Sequence, residues 1–133
     1  KIKNSESCTF CKTQKEDIIH LFWHCERVAS LWNRIEIMIK QLNIVSNSFN
    51  LDIVTALGLK KSISKGKFIL SFCFLVARYY IWRCRVNESM PKFKIFLCQL
   101  ERFYQLECCE NKRLKKDFEV ILPFLNQQIL YSA

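Results

Sequence analysis

A mostly α fold follows from two observations. Half of the 133 residues are hydrophobic and 14% are aromatic, yet there are only two glycines and two prolines, too few turn formers for an all-β or disordered chain. The apolar residues also return every three or four positions over long stretches, which is the period of a helix. The length suits one domain with a real core. The first residue is Lys1, and no apolar leader with a small-residue cleavage site follows it, so the chain reads as a piece of a longer polypeptide.

The first element is not a helix. The stretch ESCTFCKTQKEDIIHLFWHC, residues 6–25, holds three of the eight cysteines and both histidines. Its order is Cys8-x2-Cys11-x8-His20-x4-Cys25. A C-x2-C pair in a tight knuckle puts two thiolates on one ion, and His20 with Cys25 supplies the other two corners of a tetrahedron from the start of a helix. Soft thiolates with one imidazole select zinc, and four protein ligands leave no position for a reactive water, so one structural Zn2+ is expected. His24 competes with His20 for the imidazole place, but it adjoins Cys25, and neighbours on a helix converge poorly on one metal. A redox role for Cys8 and Cys11 would usually sit in a βαβ context, which this sequence lacks. Residues 4–20 are mostly polar, so metal binding supplies folding energy that burial does not, on the order of 10 kcal/mol. Leu21, Phe22 and Trp23 would pin the knuckle to the remainder.

Helices follow. Val28, Leu31, Trp32, Ile35, Met38, Ile39 and Leu42 mark an amphipathic helix over residues 26–42, ended by the polar turn formers of NIVSNSFN. LDIVTALGL, residues 51–59, reads as a turn or two of helix closed by Gly58. The basic run KKSISKGK resembles a linker. From Phe68 to about Val86 the pattern is apolar around most of its circumference, which predicts a central helix with Phe68, Phe72, Leu75, Val76 and Tyr79 stacked on one side. Its ten-residue uncharged stretch FILSFCFLVA is about half of what spans a bilayer, so no membrane partner is expected. NESMP stops that helix and starts the next, with Ser89 or a neighbour as cap and Pro91 in the first turn. Phe93, Phe96, Leu97, Leu100, Phe103 and Tyr104 form the next apolar stripe. A last helix starts near Lys112, and Pro123 should break or kink it. The organisation expected is thus a small CCHC zinc knuckle over residues 1–25, with a bundle of about four helices over 26–133 packed on it.

Only the first three cysteines have ligand spacing. Cys73, Cys84 and Cys98 lie within apolar helical patterns as small hydrophobes, which favours a reducing compartment without disulfides. The formal charge is +9, of which residues 51–133 carry +7, and a pI near 9.3 points to a polyanion, nucleic acid before membrane. Candidate phosphate contacts are Lys60, Lys61, Lys65 and Lys67, then Arg78 and Arg85 one heptad apart, then Lys112, Arg113, Lys115 and Lys116. Tyr80 and Trp82 are candidates for stacking on unpaired bases, if exposed. Asp17, Asp52 and Asp117 are isolated, and no P-loop or nucleophile triad can be assembled, so neither catalytic residues nor a small-molecule substrate are expected in this segment.

The residues CTFC, Glu16 with His20, HLFWHC and Trp32, seven positions after Cys25, resemble the zinc-binding module at the carboxyl end of reverse-transcriptase polyproteins of non-LTR (LINE-type) retrotransposons. ALGL, YYIWRCRVNESMPKFKIFLCQLERFYQLE and ILPFLNQ resemble the helical tail that follows it in animal elements, so the likeness covers most of the chain. It departs at Asp17, where the family often has threonine, and at Glu26, where it often has proline. The resemblance implies Cys8, Cys11, His20 and Cys25 as metal ligands. It also implies an upstream endonuclease and polymerase, with this segment binding element RNA or target DNA during target-primed reverse transcription. The setting would be an intracellular ribonucleoprotein of nucleus and cytoplasm, in contact with the other domains of the polyprotein. The alternative function is a protein-interaction scaffold docking onto the reverse-transcriptase body or a host factor.

Overall fold

A computed structural model describes residues 7–59 and 68–107, together with 116, 119, 122, 123 and 125. The described part is mostly α, as the sequence predicts. A knuckle around Cys8 and Cys11 leads into a π-helical turn, His20–His24, and then α1 (Glu26–Gln41), α2 (Ile53–Ala56), α3 (Phe68–Asn87) and α4 (Phe93–Glu107). The helix expected from about Lys112 falls largely outside the described residues.

α1 buries Val28, Leu31, Trp32, Ile35, Met38 and Ile39, the stripe its periodicity predicts, with Leu42 packed at the edge. Glu26 in its first turn and Lys40 in its last complement the helix dipole. α2 is short because only Asp52 starts it, accepting a hydrogen bond from Thr55 N at 2.8 Å, and Gly58 ends it at φ 68°. Arg78 on α3 donates to the Ala56 carbonyl at 2.9 Å, capping an otherwise orphan acceptor at the end of α2.

Three helices close with the same device. Asn43 N bonds Lys40 O and Ile44 N bonds Ile39 O after α1; Gly58 N bonds Thr55 O and Leu59 N bonds Val54 O after α2; Glu88 N bonds Arg85 O and Ser89 N bonds Cys84 O after α3. Asn43, Gly58 and Glu88 all have positive φ, which makes each a Schellman stop. Asn and Gly tolerate that backbone, whereas Glu88 adopts it at a cost of about 1–2 kcal/mol. Ser89 therefore ends α3 instead of capping α4. The first α4 bond runs from Phe96 N to Lys92 O, which puts Pro91 just ahead of the cap and outside the first turn.

α3 is central, but its predicted phase needs correction. Ile69, Leu70, Cys73, Phe74, Val76, Ala77, Tyr80, Ile81 and Cys84 are buried, whereas Leu75 and Tyr79 are 56% and 43% exposed. A helix apolar on nearly all sides carries no periodic signal that fixes which side turns inward. α3 and α4 pack as an antiparallel hairpin through the short turn 88–92, and the Tyr80 hydroxyl accepts from Lys92 N at 2.8 Å to lock that turn. Phe96, Leu97, Leu100 and Tyr104 face the core. Among the described residues the core is one contiguous cluster, and it includes Cys8, Phe10, Leu21 and Cys25 of the knuckle. No helix among the described residues is long and apolar enough to cross a membrane.

Candidate metal centre

The knuckle is a tight loop closed by an isolated antiparallel bridge between Ser7 and Lys15. Cys8 N donates to Gln14 O at 2.8 Å and Lys12 N to Cys8 O at 3.0 Å. Lys12 turns the chain at φ 61°, so Cys8 and Cys11 sit on the same side of the loop. Phe10 N approaches the Cys8 sulfur at 3.4 Å, a donor that stabilises a thiolate.

The other two candidate ligands come from a wide helical turn. Asp17 caps its start, accepting from His20 N at 2.7 Å, and Cys25 N bonds His20 O at 2.8 Å, an i→i+5 bond. In an α-helix, residues five apart lie about 140° apart around the axis; the wider turn brings His20 and Cys25 towards the same side. Cys25 then leaves the helix at ψ 130° and caps α1. Trp32 reinforces the arrangement: its indole N–H donates to Phe22 O at 2.7 Å, and its ring meets Trp23 at 5.9 Å and Phe74 at 6.1 Å. The π turn is thereby tied to α1 and α3.

The Sγ atoms of Cys8, Cys11 and Cys25 and a ring nitrogen of His20 all lie within 4.8 Å of one another. Cys8 and Cys25 are buried and Cys11 and His20 half-buried. Cys8 Sγ and Cys25 Sγ are 3.8 Å apart, and Cys11 Sγ and His20 Nε2 are 3.4 Å apart. This cluster can hold a metal ion. His24, the competing imidazole, is exposed and lines a separate surface hollow with Trp23 and Trp32.

The thiols are electrostatically unequal. Desolvation raises Cys11, but hydrogen bonds from Thr13, Gln14 and His20 outweigh it and bring the thiol down to about 5. Burial pushes Cys25 up to about 11, with the adjacent Cys8 adding to the rise and backbone donors from Arg27 and Val28 opposing it. A bound cation would offset the penalty on the buried sulfurs by stabilising their thiolates. Cys73, remote from the cluster in sequence, is pushed up to about 12 by burial alone, as expected of an inert core thiol.

Glu16 joins the knuckle to the helices. Its Oε1 accepts from Thr9 N and Thr9 Oγ1, both at 2.8 Å, while its Oε2 meets Arg85 Nε at 3.0 Å and Nη2 at 2.9 Å. Comparison of the chain with family models, with curated proteins and with solved structures finds no match.

The candidate nucleic-acid contacts fare differently. Lys60, Lys61, Lys65, Lys67, Lys112, Arg113 and Lys115 lie outside the described residues, and Lys116 is exposed. Arg78 is engaged at Ala56 O, with burial lowering its pKa, and Arg85 is engaged at Glu16. Tyr80 is 6% exposed and bonded to Lys92 N, which removes it as a stacking candidate. Trp82 is 46% exposed, with the Arg85 guanidinium 5.3 Å from its ring centre. Arg83, Lys92 and Arg102, absent from the sequence-based set, are exposed. Isolated cations without a local run give no signal in sequence.

Proposed function

We propose that this chain is a non-catalytic, zinc-organised segment that binds nucleic acid, as the resemblance to the carboxyl-terminal module of non-LTR retrotransposon reverse transcriptases implies. The convergence of Cys8, Cys11, His20 and Cys25 carries the reading. A tetrahedral zinc with bonds of about 2.3 Å to sulfur and 2.0–2.1 Å to nitrogen has S···S edges of about 3.8 Å and S···N edges of about 3.6 Å. Cys8 and Cys25 place their sulfurs 3.8 Å apart, Cys11 and His20 place sulfur and nitrogen 3.4 Å apart, and all four atoms lie within 4.8 Å of one another. Three thiolates and an imidazole suit zinc over the harder cations. Four protein ligands complete the shell, so the ion would support structure and activate no water.

Both departures from the family pattern sit where the substitution is chemically neutral. Asp17 is a helix cap, a role threonine fills as well. Glu26 opens α1 immediately after its Cys25 cap, where proline and an acidic residue are each favoured. The net charge of +9 supplies the attraction for phosphates.

Metal analysis of the purified chain should give one zinc per molecule, and cobalt substitution should give the intense visible bands of a tetrahedral thiolate site; failure of both removes the metal reading. Filter binding to RNA should weaken steeply from low to moderate salt. Absence of binding would instead favour the protein-docking alternative, whose supporting observation is the exposed pair Ile18 and Ile19, at 71% and 40%, beside the knuckle.

A further inference from the structure

The α3–α4 hairpin leaves an open groove of about 810 Å³ on its outer side. Among the described residues its lining includes three cations, Arg83 from α3, Lys92 from the turn and Arg102 from α4, and no carboxylate. The hairpin's own acids, Glu88, Glu101 and Glu107, lie outside that lining. No side-chain hydrogen bond or ion pair engages Arg83, Lys92 or Arg102 among the described residues, in contrast to Arg78 and Arg85.

Between the cations the groove offers flat apolar surface. Tyr79 is 43% exposed and Met90 41%, and Tyr79 meets Phe103 edge-on at 5.3 Å, which fixes the ring plane. Asn87 from α3 and Gln99 from α4 supply amide donors and acceptors to the lining. Lys92 and Arg102 are separated by about 15 Å of helix, a reach of a few nucleotides.

The geometry points to this groove as a binding track for an unpaired strand of nucleic acid, with Arg83, Lys92 and Arg102 on phosphates and Tyr79 stacked against a base. This rests on the nucleic-acid reading above and adds the site and the strandedness. Charge complementarity selects a polyanion, and an exposed ring held by a neighbour selects one with aromatic faces, because base stacking is available only where bases are unpaired. An acidic peptide would match the cations but leave the aromatic surface unused.

The test uses the full 133-residue chain, zinc-loaded, with a labelled oligouridylate of about 12 nucleotides, within the site sizes of single-strand binders, and an RNA duplex of equal length. Arg83→Gln and Arg102→Gln should each weaken single-strand binding about fivefold or more and flatten the log–log salt slope by about 0.7. Arg27→Gln on α1, the same charge change outside the groove, should stay within about twofold. Tyr79→Leu should weaken single-strand binding by about fivefold or more with the salt slope unchanged, and leave duplex binding alone. These side chains are exposed, so zinc content and melting temperature should hold throughout. Groove variants indistinguishable from Arg27→Gln overturn the track while nucleic-acid binding stands. Displacement of the RNA by polyglutamate at equal charge concentration overturns it in favour of an acidic peptide. No binding by the unmodified chain overturns both readings.

Discussion

The knuckle and the helical body are held by different means. Residues 7–25 contribute few large apolar side chains to the core, chiefly Phe10 and Leu21, and their order comes from backbone bonds, Asp17, Glu16 and a cluster of four side chains that can hold a metal ion. Residues 26–59 and 68–107 are ordered by burial: α1, α3 and α4 each present a continuous inward stripe. A short polar segment gains stability from a few directional interactions of high individual value, whereas a helical body spreads it over many weak ones. The two regions should therefore fail in different ways.

The largest effect is expected from the knuckle. Cys11→Ser, or stripping the metal with a chelator, should unfold residues around the cluster and forfeit up to about 10 kcal/mol of metal-linked folding energy. The cobalt charge-transfer bands should vanish while helical circular dichroism largely survives. Loss of both signals together would show that the regions are one cooperative unit. Next comes the helical core. Ile39, fully buried on α1, should cost about 2–5 kcal/mol when replaced by alanine, read by thermal melting, with metal stoichiometry retained.

The link between the regions ranks third. Glu16→Gln retains the shape and one acceptor but removes the charge facing Arg85, and should cost about 2 kcal/mol, between a surface pair and a fully buried one. Amide exchange should rise in the Cys8–Cys11 loop before it rises in α1. The smallest effect has the opposite sign: Glu88→Gly relieves the left-handed backbone at the end of α3 and should stabilise the chain by about 0.5–1 kcal/mol, seen as a modest increase in melting temperature.

The sequence already determined the helical class, the inward face of α1, the Gly58 stop and the composition of the CCHC cluster, because each depends on local spacing: the helical period, a turn residue, a ligand interval. Only the tertiary structure decided the rest. It brought His20 and Cys25 to one side through a π turn, chose which side of the nearly all-apolar α3 faces inward, and turned Tyr80 in while leaving Tyr79 out. It also paired Glu16 with Arg85 across 69 positions and gathered Arg83, Lys92 and Arg102 into one groove. Those outcomes follow from which surfaces meet when helices pack, and no local pattern records a meeting between residues so far apart along the chain.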